Sequence, residues 1–213
     1  MKILILGAAG QISKVLTKRL VKNSENEIVL YARNANKRLS NHENNITIID
    51  GDFNETEKLH NIIKDDVDVI YINEMRSYSN INSIIEASKN TQVKKMIGAN
   101  VLGIYDEVPG EFGKWNKSML GDYNPESSYL KTAELLENSG IDYTVLRITW
   151  LYNQEGNEDY VLTQKGEPFY GAQVTRQAVA KLIEDIIENK ERFKNTNIGV
   201  GEPDTDFAKP SFY

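Results

Sequence analysis

Apolar residues along the 213-residue chain gather in short, nearly unbroken runs: Ile3–Leu6, Ile28–Tyr31, Ile46–Ile49, Val67–Ile72, Lys95–Gly98 and Tyr143–Ile148. Runs of this kind, rich in Ile and Val, suit strands covered on both faces of a parallel sheet. Between them the spacing changes. Ile12, Val15, Leu16 and Leu20 fall on one helical face, as do Leu59, Ile62 and Ile63, and then Ile81, Ile84 and Ile85. Ala133, Leu135 and Leu136 lead into the run at Tyr143. Val179, Leu182, Ile183, Ile186 and Ile187 mark a longer helix before a last edge strand over Asn195–Val200. Each of these segments carries one apolar stripe, which predicts a helix with one buried face. Strands and helices alternating at this interval predict right-handed crossovers and an α/β fold with a doubly wound parallel sheet, the Rossmann arrangement.

Two stretches lack a regular pattern, Asn100–Pro125 and Asn153–Gln173. Both follow expected strands and therefore leave the sheet at its carboxyl edge, where open α/β folds bind ligands. The chain reads as a single domain, residues 1–213, in which loops 100–125 and 153–173 form a small substrate-facing lobe. Its ending, Lys209-Pro210-Ser211-Phe212-Tyr213, is an aromatic tail that docks either on its own domain or on a second subunit, so a homo-oligomer stays open.

The first expected strand runs into Gly7-Ala8-Ala9-Gly10-Gln11-Ile12-Ser13. Small residues let the backbone approach a pyrophosphate, and the free N–H groups at the start of the following helix carry partial positive charge. A glycine pair in this strand–turn–helix context predicts a dinucleotide site built on Gly7, Ala9, Gly10, Gln11 and Ile12. The residue closing the second strand selects the cofactor, because a carboxylate accepts from a ribose 2′-hydroxyl whereas a cation accommodates a 2′-phosphate. That residue is Arg33, with Lys37 and Arg38 close behind. NADP is therefore expected over NAD.

Composition narrows the classes. A net charge of −6 argues against a general binder of phosphate backbones, so no nucleic-acid partner is expected. The absence of cysteine removes disulfides, thiolate metal sites and cysteine nucleophiles, and fits a reducing cytoplasm. The opening apolar run stops at Gly7, far short of a signal peptide or a membrane span, so neither export nor a membrane is expected. His42 and His60 lie in polar stretches without ligand spacing, which predicts two solvated histidines and no metal site.

These residues resemble the short-chain dehydrogenase/reductase superfamily, and within it the atypical NAD(P)H-binding, NmrA-like branch. The turn is similar to that branch's G-x-x-G-x-x-G, with Ser13 in place of the third glycine. Arg33, Asp52-Phe53 and the run Asp142–Arg147 into Ile148-Thr149-Trp150-Leu151-Tyr152 are further points of likeness. The resemblance implies that Asp52 and Phe53 line the adenine; on the residues alone they read equally as a helix cap and a core phenylalanine. Asn73, Tyr105, Trp150, Tyr152 and Asn153 follow strand ends and are expected on the nicotinamide side, with Asn73 at the cofactor and the other four at the substrate; the Tyr and Trp residues among them read also as half-buried packing residues with a satisfied polar tip.

Dehydrogenases of the resembled superfamily use a Tyr-x-x-x-Lys pair, whose ammonium helps the phenol exchange a proton with substrate. No tyrosine here has lysine four residues on, and the serine expected after the fifth strand is missing from Ile97-Gly98-Ala99-Asn100. The catalytic residue is thus unassigned, with Tyr105, Tyr129 and Lys131 as candidates. The resemblance implies an NADP-dependent oxidoreductase passing hydride to a small planar, quinone- or flavin-like, or carbonyl-bearing substrate. The missing pair keeps a second reading open, a non-catalytic redox sensor resembling NmrA. A third, a nucleotide-sugar epimerase or dehydratase, fares worse, because little chain remains after Ile187 to hold a sugar nucleotide.

Overall fold

The computed structural model describes residues 1–40 and 43–213, so His42 lies outside the described residues. Seven parallel strands and one antiparallel strand form a single sheet. In chain order these are β1 (Lys2–Leu6), β2 (Glu27–Ala32), β3 (Ile46–Asp50), β4 (Val69–Ile72), β5 (Lys95–Val101), β6 (Tyr143–Ile148), β8 (Val161–Gln164) and β10 (Thr196–Gly201). Their spatial order is β3-β2-β1-β4-β5-β6-β10-β8, with β8 antiparallel to β10. A separate parallel pair joins β7 (Trp150–Tyr152) to β9 (Gln173–Thr175).

Alternation within β1 explains its unbroken apolar run. Ile3 and Ile5 face a core made with α1 (Gln11–Leu20) and α7 (Arg176–Glu188), where Leu16, Leu182 and Ile186 are buried. Leu4 and Leu6 face the opposite layer of α3 (Thr56–Ile63), α4 (Tyr78–Ser88) and α6 (Ser128–Glu137), packed through Leu59, Ile84 and Leu136. All four β1 side chains are fully buried. Each contributes roughly 1.5–3 kcal/mol on leaving water, and both faces need an apolar residue, so no polar alternation survives.

Register places the turns that matter at one edge. Leu6 pairs with Tyr31 and with Ile72, and Ile72 pairs with Gly98, so the chain leaves β1, β2, β4 and β5 at similar height. The strand order reverses between β1 and β4, which opens the crevice typical of doubly wound sheets.

The structure departs from the sequence pattern in three places and decides one alternative that the sequence left open. Residues 100–125 contain a helix, α5 (Gly110–Leu120). Gly113, in the interior of α5, costs about 1 kcal/mol relative to alanine and masks the helix in the sequence. Gly113 is nevertheless required, because a Cβ there would lie 2.1 Å from the Val108 carbonyl oxygen. Residues 153–173 contain β8, so β10 is internal and β8, not Asn195–Val200, forms that edge. The two stretches meet: Phe169 donates its N–H to the Glu107 carbonyl at 2.8 Å and packs with Leu102, Val108 and Phe112. His60 is half-buried rather than solvated, its Nδ1 donating to the Ala87 carbonyl at 2.8 Å and so tying α3 to α4. The aromatic tail docks on its own domain, with Ser211 N–H donating to Gln173 Oε1 and the Tyr213 ring 5.2 Å from both Trp115 and Trp150. Among the described residues no helix is long and apolar enough to cross a membrane, and no three metal-ligating side chains come together.

Candidate functional site

The turn after β1 is shaped by two glycines with different jobs. Gly7 takes a left-handed φ of 79°, and its N–H and that of Ala8 both donate to the Tyr31 carbonyl, pinning the turn to the end of β2. Gly10 opens α1 in an extended conformation with no side-chain cap. The first-turn N–H groups of Gln11, Ile12 and Ser13 have no acceptor within the helix by geometry. A Cβ on Gly10 would lie 2.2 Å from Asn73 Nδ2, so only glycine fits beneath that amide.

Asn73 is itself held. Its Oδ1 accepts from Ser13 Oγ at 2.9 Å and from the buried Tyr71 hydroxyl at 3.2 Å, and its N–H donates to the Leu6 carbonyl at 3.0 Å. Two hydroxyl donors on Oδ1 fix the amide orientation and aim Nδ2 at the turn. This accounts for Ser13 at the third glycine position: the site tolerates a small side chain, and its hydroxyl ties α1 to the end of β4. Burial pushes the Tyr71 phenol strongly upward, which keeps it a neutral donor.

Gly7, Ala9, Gly10, Arg33, Asp52, Phe53 and Asn73 line one cleft of about 290 Å³, together with Arg38, Gly51, Asn54, Glu74 and Asn80. Gln11 and Ile12 are not among the lining residues: Gln11 is exposed and the Ile12 side chain is buried in the core. Arg33 is 76% exposed, with its Nε 3.6 Å from Asp52 Oδ2. Asp52 caps a turn rather than a helix: its Oδ1 accepts from Asn54 N–H at 3.2 Å, and its carbonyl accepts from Tyr31 at 2.8 Å. Phe53 is half-buried against the core and stacks on Tyr31 at 6.5 Å. The arrangement fits a dinucleotide phosphate: donors without helical partners, a cradle that a Cβ would fill, and two arginines on the cleft, Arg33 just past β2 and Arg38 at the end of the short helix Ala35–Arg38.

The candidates beyond β5 and β6 divide. A second cleft of about 620 Å³ is lined by Val101–Ile104, by α5 and the segment after it, and by Tyr129. Tyr105 is absent from it. The Tyr105 hydroxyl donates to Glu137 Oε1 at 3.3 Å and accepts from Asn197 Nδ2 at 2.9 Å, and Lys165 Nζ lies 4.5 Å from its ring centroid. Burial, then the Glu137 charge, pushes this phenol up to about 12. Behind it Arg147, fully buried, pairs with Glu107 at 2.6 Å, and Glu107 accepts from the N–H groups of Gly103 and Tyr105. Trp150 donates to Asn116 Oδ1 at 2.9 Å and is covered by Tyr213; Tyr152 donates to Glu202 at 2.7 Å beneath Phe212. Asn153 accepts from Arg176. Lys131 is paired with Glu126, away from the Tyr129 hydroxyl, which accepts from Arg76.

A family model described as NAD(P)H-binding matches residues 7–190, a span that runs from the phosphate turn through α7. The chain belongs to this NAD(P)H-binding family. Among solved structures it is similar to a short-chain dehydrogenase/reductase (wide type) from Veillonella parvula in complex with NADP, at 36% identity and TM-score 0.90 over 99% of each chain. A Rossmann-fold NAD(P)-binding family protein from Shigella flexneri is 33% identical, at TM-score 0.81 over 100% of this chain and 98% of that one. ChuY, an anaerobillin reductase from Escherichia coli O157:H7, shares the fold at 19% identity and TM-score 0.76, over 99% of this chain and all of that one. A comparison with curated proteins finds no match.

For this NAD(P)H-binding protein, sequence reasoning passed over Gly51, Asn54, Glu74 and Asn80 at the first cleft. Gly51 carried a signal, a glycine closing the third strand, and the reason is steric: a Cβ there would lie 2.1 Å from the Tyr31 hydroxyl. The other three are polar residues in loops or on a helix face, with no periodicity to single them out.

Proposed function

We propose that the chain is an NADP-dependent oxidoreductase that transfers hydride to a small planar or carbonyl-bearing acceptor. The observation that carries this reading is that Arg33, just past the end of β2, and Arg38 border the phosphate cleft, while the segment Leu30-Tyr31-Ala32-Arg33-Asn34 that closes β2 offers no Asp or Glu to a ribose 2′-hydroxyl. Bound there, NADPH would supply the hydride. The N–H groups of Gln11 and Ile12 would meet the pyrophosphate, the Arg33 and Arg38 guanidiniums the 2′-phosphate, and Asp52 and Phe53 the adenosine. The 620 Å³ cleft, with apolar Val101, Leu102, Ile104 and Val108 among its walls, is the proposed acceptor site.

Titration with NADPH and with NADH, followed by a screen of quinone, flavin, aldehyde and ketone acceptors for loss of nicotinamide absorbance, tests both parts. Tighter binding of NADPH and consumption with one acceptor class support the proposal; no heat with either nucleotide removes it. The commitment of Tyr105 and Tyr152 to carboxylates, with no Tyr-x-x-x-Lys pair, is the observation that favours the sensor reading. Different affinities for oxidised and reduced cofactor, without any turnover, would select it.

A further inference from the structure

Hydride delivered to a carbonyl carbon leaves negative charge on the oxygen, which a positioned acid relieves by giving up a proton. Tyr105 and Tyr152 are unsuited to the task. Burial and neighbouring carboxylates push both up to about 12, and neither lines the 620 Å³ cleft. Tyr129 does line it. Its backbone carbonyl accepts from Asn100 Nδ2 at 2.9 Å and from Thr132 Oγ1 at 3.0 Å, which fixes the root of the side chain on the first turn of α6. Its phenol oxygen accepts from Arg76 Nε at 3.0 Å, and the guanidinium carbon lies 6.0 Å from the ring centroid. A guanidinium has donors only. The phenol's own proton therefore stays available to a ligand.

Arg76 also places the pair. It follows β4, and its Nε lies 3.3 Å from Glu74 Oε1. Glu74 lines the 290 Å³ cleft, so the row Glu74, Arg76, Tyr129 leads from the dinucleotide cleft to the acceptor cleft.

Resting on the oxidoreductase reading above, the geometry points to Tyr129 as the catalytic acid for a substrate carbonyl, with Arg76 as the positioning cation where related enzymes use lysine. In the step, hydride from the reduced nicotinamide bonds to the carbonyl carbon as the π bond opens. The carbonyl oxygen takes the Tyr129 proton, the nucleotide leaves oxidised, and water returns a proton to the phenol oxygen. Arg76 opposes the negative charge left on that oxygen. Its own pKa is raised, with the Tyr129 hydrogen bond as the largest cause. Because the Arg76 side chain is 71% exposed, water screens its charge, and its effect is smaller than that of Tyr129.

The test compares Tyr129→Phe, Arg76→Gln, Arg76→Lys and Lys131→Ala. With an aldehyde or ketone acceptor, Tyr129→Phe lowers kcat by about 100-fold or more, while the Kd for NADPH, read by fluorescence, stays within about twofold, a change of under 1 kcal/mol. Arg76→Gln lowers kcat by about threefold to fivefold, and Arg76→Lys restores most of it. A second readout needs no cofactor. Tetranitromethane attacks phenols through their ionised form, and mass analysis of the apo-protein shows nitration of Tyr129 slowed about threefold by Arg76→Gln, with other tyrosines unchanged. Turnover that survives Tyr129→Phe overturns the assignment of the acid. A larger loss in Lys131→Ala than in Arg76→Gln, or equal nitration with and without Arg76, overturns the role of Arg76. Wild-type protein that binds NADPH yet reduces no acceptor sinks the oxidoreductase reading itself, a result separate from either.

Discussion

Replacing Gly10 by alanine adds one methyl group at the most crowded point of the phosphate turn. That Cβ would stand 2.2 Å from Asn73 Nδ2 and 2.8 Å from its Cγ, so the whole amide has to move. Moving it breaks the two hydrogen bonds on Oδ1, from Ser13 at 2.9 Å and Tyr71 at 3.2 Å. Ser13 and Tyr71 are fully buried, and water does not replace the lost partner. Each of the two stranded hydroxyls costs about 1–3 kcal/mol, which sets the expected destabilisation at about 2–6 kcal/mol. In a chain of this size that lowers Tm by about 4–24 °C. Differential scanning fluorimetry and urea unfolding measure it. The double variant with Asn73→Ala separates collision from any other effect, because removing the amide relieves the contact. Gly10→Ala should then cost about 1 kcal/mol or less in the Asn73→Ala background. A Gly10→Ala protein within about 0.5 kcal/mol of wild type, or the same cost in both backgrounds, would refute this account of the turn.

Other expectations follow from single contacts. Arg33→Ala weakens NADPH about tenfold or more through loss of charge-assisted hydrogen bonds and leaves NADH nearly unchanged; equal weakening of both, in parallel calorimetric titrations, places Arg33 outside the adenosine site. Glu107→Gln leaves the buried Arg147 charge uncompensated and costs about 3–5 kcal/mol; a loss under about 1 kcal/mol in chemical unfolding would mean that Arg147 finds another partner. Lys95 is fully inaccessible, with Nζ donating to the carbonyls of Lys190 and Arg192 at 2.8 Å, and burial pushes it down to about 8. A lysine whose folded pKa lies below its unfolded value opposes folding while charged, and that opposition fades as pH rises from about 8 toward the unfolded value. Wild type should therefore gain stability relative to Lys95→Met by about 1 kcal/mol per pH unit above about pH 8. Parallel slopes for the two proteins would remove Lys95 as the cause.

The fold was largely legible from the chain. Continuous apolar runs mark strands buried on both faces, and the spacing of Leu16 and Leu20, or of Leu182 and Ile186, marks helices with one buried face, so both periods survive in the sequence. The helix α5 was hidden because its stability comes from Phe112 packing on the Phe169 cluster and from Gly113 against Val108, contacts that its own composition opposes. The strand β8 was hidden because Val161–Gln164 is a short edge strand, too brief for a period to register.

The candidate site splits along the same line. Local sequence determined the phosphate turn, since a strand, two glycines and an amphipathic helix specify a cradle whatever surrounds it, and it put Arg33 at the end of β2. Only tertiary structure decided that Ser13 grips Asn73, that Tyr105 is absorbed by Glu137 and Asn197, and that Arg76 stands where a lysine was sought beside Tyr129. Those contacts join residues 60, 32, 92 and 53 positions apart. Backbone periodicity is a local property and records nothing about which distant side chain the sheet will bring alongside.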